Sequence, residues 1–344
     1  MKSRERVQRA VDLDRPDRAP IMHSVLPAAL LRHGQSLVEL LRKYPNDFGS
    51  SEHKVPRRDD LPPPYRAGRN VDSWGTVWRS TTDGIHGQVI DYPIRTWEEA
   101  EAYEFPPTDP DDIVEKRRRE VADQKKRFYV ILGFNPGNYF ERLQWLLGFR
   151  TVLKSLVKRP PAFVRFADKL LSYALDSIER TLQMQPDAIG FSDDWGAQDR
   201  LLVRPSIWRQ FFKPRYQEMF HLVHDYGARV YFHTDGYIID ILEDLVEIGV
   251  DVINPQFSCH SLEDLASRVR GRICVSSDID RQILLPRGSP REIDSYVERV
   301  VQLFGRENSG GLILRGELNM DVPLRNAKAL FDAFVTHGRY AWQQ

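Results

Sequence analysis

The sequence predicts an α/β protein, a (β/α)8 TIM-type barrel with an N-terminal elaboration, over a single domain of residues 1–344. Two observations carry this prediction. From residue 127 onward, short apolar segments of strand length alternate with longer segments of helical periodicity, a pattern typical of parallel strands joined by right-handed helical crossovers. The sequence also has no GxGxxG motif after a first strand, which favours a barrel over an open dinucleotide-binding sheet.

The predicted strands are short and apolar on both faces, as in a parallel sheet that is covered by helices. They are residues 128–134, 188–191, 229–233, 250–254, 273–276 and 311–314. The predicted helices are residues 139–157, 161–184, 205–226, 238–248, 262–269, 290–304 and 324–335.

The N-terminal third of the chain is less regular. A short amphipathic helix is expected to begin at Ser3 and to end before the prolines of residues 14–20. Residues 45–107 are rich in proline and aromatic residues, and a hairpin is predicted over residues 72–94. Since this region has few long apolar segments, we interpret it as an insertion within one domain.

Composition excludes several classes of protein. Lysine plus arginine equals aspartate plus glutamate at 49 each, so no net charge favours nucleic acid or an anionic membrane. No segment approaches the ~20 apolar residues that span a bilayer, and the first 18 residues lack the apolar core of a signal peptide. Cys259 and Cys274 are too few for a disulfide framework. We therefore expect a cytoplasmic enzyme that binds a small molecule.

Polar residues follow the predicted strands, where the active site of a barrel is built. Asp193 and Asp194 follow one strand and His233 the next, so we expect a catalytic role for them, with proton transfer by a carboxylate as the chemistry. The alternative is that one aspartate caps a turn while the other is solvated. The candidate substrate-binding residues are Asn135, Tyr139, Trp195, Gln198, Gln256 and Arg315.

A metal site is a second hypothesis. His233 and Asp235 place a nitrogen and an oxygen donor in one loop, and Glu317 from another strand end would complete a set of three ligands. The alternative is a hydrogen-bonding network without metal.

Several segments together resemble the uroporphyrinogen decarboxylase superfamily, which also contains the cobalamin:coenzyme M methyltransferases. The resemblance extends over nearly the whole chain and implies a barrel with the active site at its mouth. The segments are residues 3–7, 16–21, 187–198, 204–205, 211–214, 226–227, 230–236, 249–251, 254–256 and 310–314, together with Asn326.

Two departures from the family pattern bear on activity. The decarboxylases carry an arginine-rich stretch after the first strand, where residues 21–27 of this chain contain no arginine. The zinc methyltransferases bind zinc through a His-x-Cys pair and a later cysteine. His233 matches the first of these ligands, but Asp235 and Glu317 stand where thiolates are expected. An oxygen-rich set makes the metal a stronger Lewis acid and suits an oxygen substrate, such as a methoxy group.

The resemblance thus implies a zinc-assisted methyltransferase that acts on a small methylated substrate, and it also implies a homodimer. No Asp-x-His-x-x-Gly motif for cobalamin occurs in the chain, so a partner protein would have to supply the corrinoid. The alternative is a metal-independent decarboxylase in which Asp193 or Asp194 stabilises a protonated substrate while Arg204 or Arg315 anchors a carboxylate. A third hypothesis is a non-catalytic homologue that binds a ligand or a protein.

Overall fold

The computed structural model describes residues 1–342. The strands are β1 (Ile21–Val25), β2 (Gly68–Val71), β3 (Val77–Ser80), β4 (Gln88–Asp91), β5 (Ile131–Gly133), β6 (Ala188–Ser192), β7 (Arg229–Thr234), β8 (Val252–Pro255), β9 (Cys274–Ser276) and β10 (Leu312–Leu318). The α-helices are α1 (Ser3–Val11), α2 (Pro27–Leu41), α3 (Trp97–Ala102), α4 (Asp111–Gln124), α5 (Phe140–Leu147), α6 (Phe149–Lys158), α7 (Pro161–Leu182), α8 (Pro205–Ile207), α9 (Lys213–Asp225), α10 (Ile239–Glu247), α11 (Leu262–Val269), α12 (Leu284–Arg287), α13 (Pro290–Val300) and α14 (Leu324–His337). Within the described chain, every helix is too short or too polar to cross a membrane.

The chain divides into two compact units. The first unit comprises Met1–Arg57, Ala122–Ile131 and the chain from Val250 onward, and the second comprises Arg58–Val121 and Leu132–Gly249. The single domain over residues 1–344 stays a prediction.

A parallel sheet forms the centre of the first unit, with its strands in the order β1–β10–β9–β8. Ile21 of β1 lies opposite Leu314 of β10, and Leu312 of β10 lies opposite Val275 of β9. Every residue of β8 and β9 is buried, which confirms the prediction that these strands are covered on both faces.

Asp47 organises the N-terminal segments of this unit. Its side chain is fully buried and accepts hydrogen bonds from Arg6 Nη1, from Arg18 Nη1 and from the backbone N–H of Ile21, each at 2.8 Å. Two guanidinium groups and a backbone donor compensate for burial of this carboxylate. The segments around Arg6 and Arg18 that resemble the superfamily therefore have a structural role here.

The second unit contains a parallel pair and an antiparallel sheet. β6 and β7 pair in parallel register from Ala188 opposite Arg229 to Ser192 opposite His233, so both strands end at the same level. β2, β3 and β4 form an antiparallel sheet in that order. The predicted hairpin over residues 72–94 is therefore two strands of a three-stranded sheet that begins earlier, at Gly68.

The predicted alternation of strands and helices is confirmed, with two corrections. The helix expected over residues 139–157 is two helices, because Gly148 has a φ of +83° and a Cβ there would lie 2.7 Å from the Tyr92 ring. The last predicted strand, 311–314, continues to Leu318, so Arg315 and Glu317 lie within β10 rather than after it. Closure into an eight-stranded barrel stays a prediction.

Candidate metal and acid–base site

Two loops of the second unit, which follow β6 and β7, meet backbone to backbone. The N–H of Gly196 donates to the carbonyl of Asp235 at 3.1 Å, and the N–H of Tyr237 donates to the carbonyl of Ala197 at 2.8 Å. A Cβ on Gly236 would lie 2.0 Å from the carbonyl oxygen of Gly196, so only glycine fits at this crossing. The contact fixes the positions of the side chains just before each glycine.

Asp194, His233 and Asp235 converge at this point. One ligand atom from each residue lies within 4.8 Å of the other two, and all three residues are half-buried. His233 Nε2 is 3.6 Å from Asp235 Oδ1, and Asp194 Oδ1 accepts the backbone N–H of Asp235 at 2.9 Å. The pairing of Ser192 with His233 explains the convergence, since side chains after two parallel strands in register share one edge of the sheet.

Asp193 has a different environment from its neighbour. Its side chain is 1% exposed and accepts the backbone N–H groups of Tyr139, Phe140 and Glu141 at 2.7, 3.0 and 2.8 Å. The Tyr216 hydroxyl donates to the same carboxylate. These N–H groups belong to the start of α5 and have no partner within that helix. Asp193 thus caps the helix N-terminus from a distant strand end, and its oxygens are occupied.

Burial and hydrogen bonding act in opposite directions on Asp193. Burial, the larger effect, raises its pKa to about 6, while the hydrogen bonds from Glu141, Tyr216, Phe140 and Tyr139 oppose the rise. The same carboxylate raises the pKa of Tyr216, whose hydroxyl is also buried. Asp193 therefore has a capping role, but at α5 rather than at the turn that follows it, and proton transfer by this residue stays a prediction.

Glu141, in the first turn of α5, is a functional candidate that we did not select from the sequence. Burial raises its pKa well above the usual value, and the negative charges of Asp194, Asp193 and Asp235 raise it further. Asn138 Nδ2 donates to its Oε2 at 2.7 Å. A carboxylate in the first turn of a helix is ordinarily explained by the helix dipole, so Glu141 did not stand out from sequence alone.

The other predicted site residues of the second unit lie in several places. Tyr139 and Trp195 are core residues: the Tyr139 hydroxyl donates to the carbonyl of Ala167 at 2.7 Å, and the Trp195 ring stacks on Phe140 at 4.3 Å. Asn135 Nδ2 donates to the Tyr173 hydroxyl at 2.9 Å. Gln198 is exposed on the loop after β6.

Arg315, Glu317 and Gln256 lie in the first unit. Arg315 Nη1 donates to Asn254 Oδ1 at 3.0 Å, and its Nη2 donates to Glu317 Oε2 at 3.1 Å. Arg281 Nη1 lies 3.3 Å from the buried Asp278 carboxylate and 3.9 Å from Glu317 Oε1. Glu317 is thus part of an ion-pair network.

Gln256 is buried in the first unit, and its Nε2 donates to Ser258 Oγ at 3.1 Å. This contact gives it a local partner within the loop after β8. A substrate-binding role for Gln256 stays a prediction.

The comparisons with known proteins settle the family. The family model of uroporphyrinogen decarboxylase matches residues 86–337. This chain belongs to the uroporphyrinogen decarboxylase family. A uroporphyrinogen decarboxylase from Geotalea daltonii is 20% identical over 238 residues, which are 66% of this chain and 65% of that protein. This chain therefore spans just under two thirds of the relative's length.

A solved structure of a methyltransferase from Methanosarcina mazei is similar at 15% identity, with a TM-score of 0.69 over 98% of this chain and 99% of that one. This similarity shows that the two proteins share a fold, which agrees with the TIM-like α/β architecture expected from the sequence.

The donor set fits a divalent metal. It offers one imidazole nitrogen and two carboxylate oxygens, a combination found at zinc sites that keep an open position for water or substrate. Asp194 provides the third donor of this group, whereas the sequence led us to expect Glu317 as the third ligand. Both cysteines lie in the first unit, and burial raises the pKa of Cys274, so thiolate ligation is not part of this group.

Proposed function

We propose that this chain is a methyltransferase of the family, which takes a methyl group from an oxygen atom of a small substrate and passes it to a corrinoid on a partner protein. The observation that supports the proposal best is the convergence of Asp194, His233 and Asp235 within 4.8 Å. These residues would hold a divalent metal, for which zinc is our candidate. When bound, the metal supplies Lewis acidity at the substrate oxygen.

The protein's own residues then have defined tasks. The N–H of Asp235 holds the Asp194 carboxylate in place through its hydrogen bond at 2.9 Å, so this ligand is oriented before a metal arrives. The crossing of Gly196 and Gly236 fixes the two loops that carry the ligands.

Glu141 is the proposed acid. Burial raises the pKa of its carboxyl group well above the usual range, and the charges of the three aspartates raise it further in the metal-free protein, so Glu141 keeps its proton to higher pH than an ordinary glutamate. As the carbon–oxygen bond of the substrate breaks, the oxygen keeps the bonding electrons and takes this proton. The methyl carbon would bond to the reduced corrinoid of the partner protein, which supplies both electrons of the new bond. The products are an alcohol or phenol, a methylated corrinoid and the ionised Glu141, so atoms and charge balance.

The decarboxylase alternative has less support from the structure. It needs an available aspartate and an arginine that anchors a carboxylate. Of the two candidate aspartates, Asp193 accepts from three backbone donors and from Tyr216, and Asp194 is one of the proposed metal ligands. Of the two candidate arginines, Arg315 donates to Asn254 and Glu317, and Arg204 is exposed. Release of carbon dioxide by metal-depleted protein would restore this alternative.

The test is methyl transfer from methoxy compounds to free reduced cobalamin, followed through the corrinoid spectrum. Asp194→Asn should lower the rate by at least about a hundredfold, because loss of one ligand charge weakens metal binding and Lewis acidity. Asp199→Asn is the matched control, since Asp199 is an exposed aspartate of the same loop that pairs with Arg200. Equal rates for both variants and for the wild type would refute the proposed site.

A further inference from the structure

A groove in the second unit adjoins the site described above, with which it shares Glu141. It has a volume of about 690 Å³, within the usual range for small-molecule sites. Its lining includes four aromatic residues, which are Trp78, Tyr92, Trp145 and Phe149, and two polar residues, which are Glu141 and Gln144. The residues come from the β3–β4 region and from α5 and the start of α6.

The aromatic walls of the groove are pre-formed. The rings of Trp78 and Trp145 meet edge to face with centroids 5.0 Å apart, and His86 packs edge to face on Trp78 at 4.9 Å. Trp78 is buried, whereas Phe149 and Ile90 are 47% and 42% exposed at the groove. Exposed apolar side chains around a cavity with aromatic walls are typical of a ligand site rather than of a core.

The groove also holds an unsatisfied donor. Gln144 Nε2 is buried and makes no hydrogen bond within the described residues, although buried amides nearly always have a partner. His86, also in the lining, has a pKa that burial lowers, so its imidazole is neutral at pH 7. A ligand that brings an acceptor atom to Gln144 would satisfy this amide, and His86 adds no positive charge that would select an anion.

Glu141 links the groove to the metal ligands. It lines the groove, and the charges of Asp194 and Asp235 act on its carboxyl group. Gln144 lies three residues later in α5, one helical turn along the same face. An oxygen bound at Gln144 would thus be on the side of the groove that carries Glu141.

We propose that this groove binds an uncharged aromatic ring bearing a hydrogen-bond-accepting oxygen, with the ring against Trp78, Trp145 and Phe149 and the oxygen accepting from Gln144. Ring binding stands independently of methyl transfer, and only the statement that this oxygen carries the transferable methyl group rests on the proposed function.

The test is isothermal titration calorimetry of the full chain, after metal depletion with a chelator, against three probes. Methoxyphenol has the ring and the ether oxygen, methoxycyclohexanol lacks the aromatic ring, and methylphenol lacks the ether oxygen. Methoxyphenol should bind about tenfold more tightly than methoxycyclohexanol, because a flat ring fits between aromatic walls. Equal affinity for the two, or binding of neither, would overturn the proposal.

Two variants locate the binding site. Gln144→Leu should weaken methoxyphenol binding about fivefold, because it removes one hydrogen-bond donor. Phe149→Ala should weaken both phenols about tenfold by removing ring contact. The matched controls are Gln217→Leu and Val157→Ala, exposed positions of α9 and α6.

The two proposals fail in different ways. If both groove variants fold, as judged by circular dichroism, and bind methoxyphenol as the wild type does, the ring site is refuted. If ring binding follows the expected order while methyl transfer is absent in metal-loaded protein, the ring site stands and the proposed function fails.

Discussion

The two units of this protein each gather charged residues at strand ends, but the groups that face one another differ. In the second unit, two carboxylates, of Asp194 and Asp235, surround one imidazole, His233. In the first unit, two guanidinium groups, of Arg281 and Arg315, face two carboxylates, of Asp278 and Glu317. Counting carboxylates and guanidinium groups alone, the first arrangement has two negative charges and the second has a net charge of zero.

The difference shows how similar residues acquire different chemistry. A balanced network of ion pairs is already satisfied by the protein and gains little from a bound cation. Two carboxylates and an imidazole are donor types that bind a divalent metal. We therefore propose the metal site for the second unit and a structural role for the network of the first. The predictions below test this contrast.

The largest effect on stability is expected for Asp193→Ala. The substitution leaves three backbone N–H groups and the Tyr216 hydroxyl without their acceptor in a buried site. The free energy of unfolding should fall by about 4 kcal/mol in urea denaturation. Asp194→Ala, next along the chain, should cost less than about 1 kcal/mol in metal-depleted protein, since this carboxylate is half-buried, whereas that of Asp193 is 1% exposed. Equal costs for the two would contradict the capping role.

Arg315→Met should destabilise the first unit by about 3 kcal/mol, because the half-buried Glu317 and buried Asp278 lose a cation while the side-chain volume is nearly kept. The double variant Arg315→Met/Glu317→Gln should recover part of this loss, as urea denaturation would show. Metal content should stay at the wild-type level in both variants. Loss of metal from them would mean that the network of the first unit supports the metal.

The smallest expected effect is on the pH dependence of stability. The pKa of Glu141 is higher in the folded protein than in the unfolded chain. At pH values between these two pKa values, the folded protein therefore binds more protons than the unfolded chain. The contribution of protonated Glu141 to the free energy of unfolding is fully present below the pKa of the unfolded chain. It decreases as the pH rises toward the pKa of the folded protein, by at most about 1.4 kcal/mol per pH unit. Asp193 acts in the same direction up to its pKa of about 6.

Glu141→Gln should flatten this decline in metal-depleted protein, because a neutral amide replaces the carboxyl group that faces Asp193, Asp194 and Asp235. The free energy of unfolding, measured in urea from pH 4 to 8 in both proteins, would show the change. Parallel curves for the variant and the wild type would contradict the raised pKa of Glu141.

Much of the fold was predictable because burial leaves a periodic pattern. The predicted strand 188–191 and helix 262–269 match β6 and α11 to within one residue, since the strand is a short apolar segment and the helix repeats its apolar residues at helical spacing. The break at Gly148 was not predictable from periodicity. It depends on a positive φ and on contact with Tyr92, which lies 56 residues away in the chain.

The candidate site was predictable in part. His233 and Asp235 were selected because they follow a strand, and the register of β6 with β7 adds Asp194 to them. The sequence does not show which groups lie opposite a polar side chain. The sequence therefore did not predict that Glu317 faces Arg315 or that Asp193 caps α5, and the roles predicted for both residues stay predictions. Glu141 was missed because its raised pKa depends on three distant aspartates.

Metal content tests the central claim most directly. Elemental analysis would be made on the purified wild type, on His233→Ala and on His221→Ala, an exposed histidine of α9 in the same unit. The account predicts about one zinc ion per chain in the wild type and in His221→Ala, and a loss of most of it in His233→Ala. No metal in zinc-supplied wild type, or equal metal in His233→Ala, would contradict the assignment of the metal site to Asp194, His233 and Asp235.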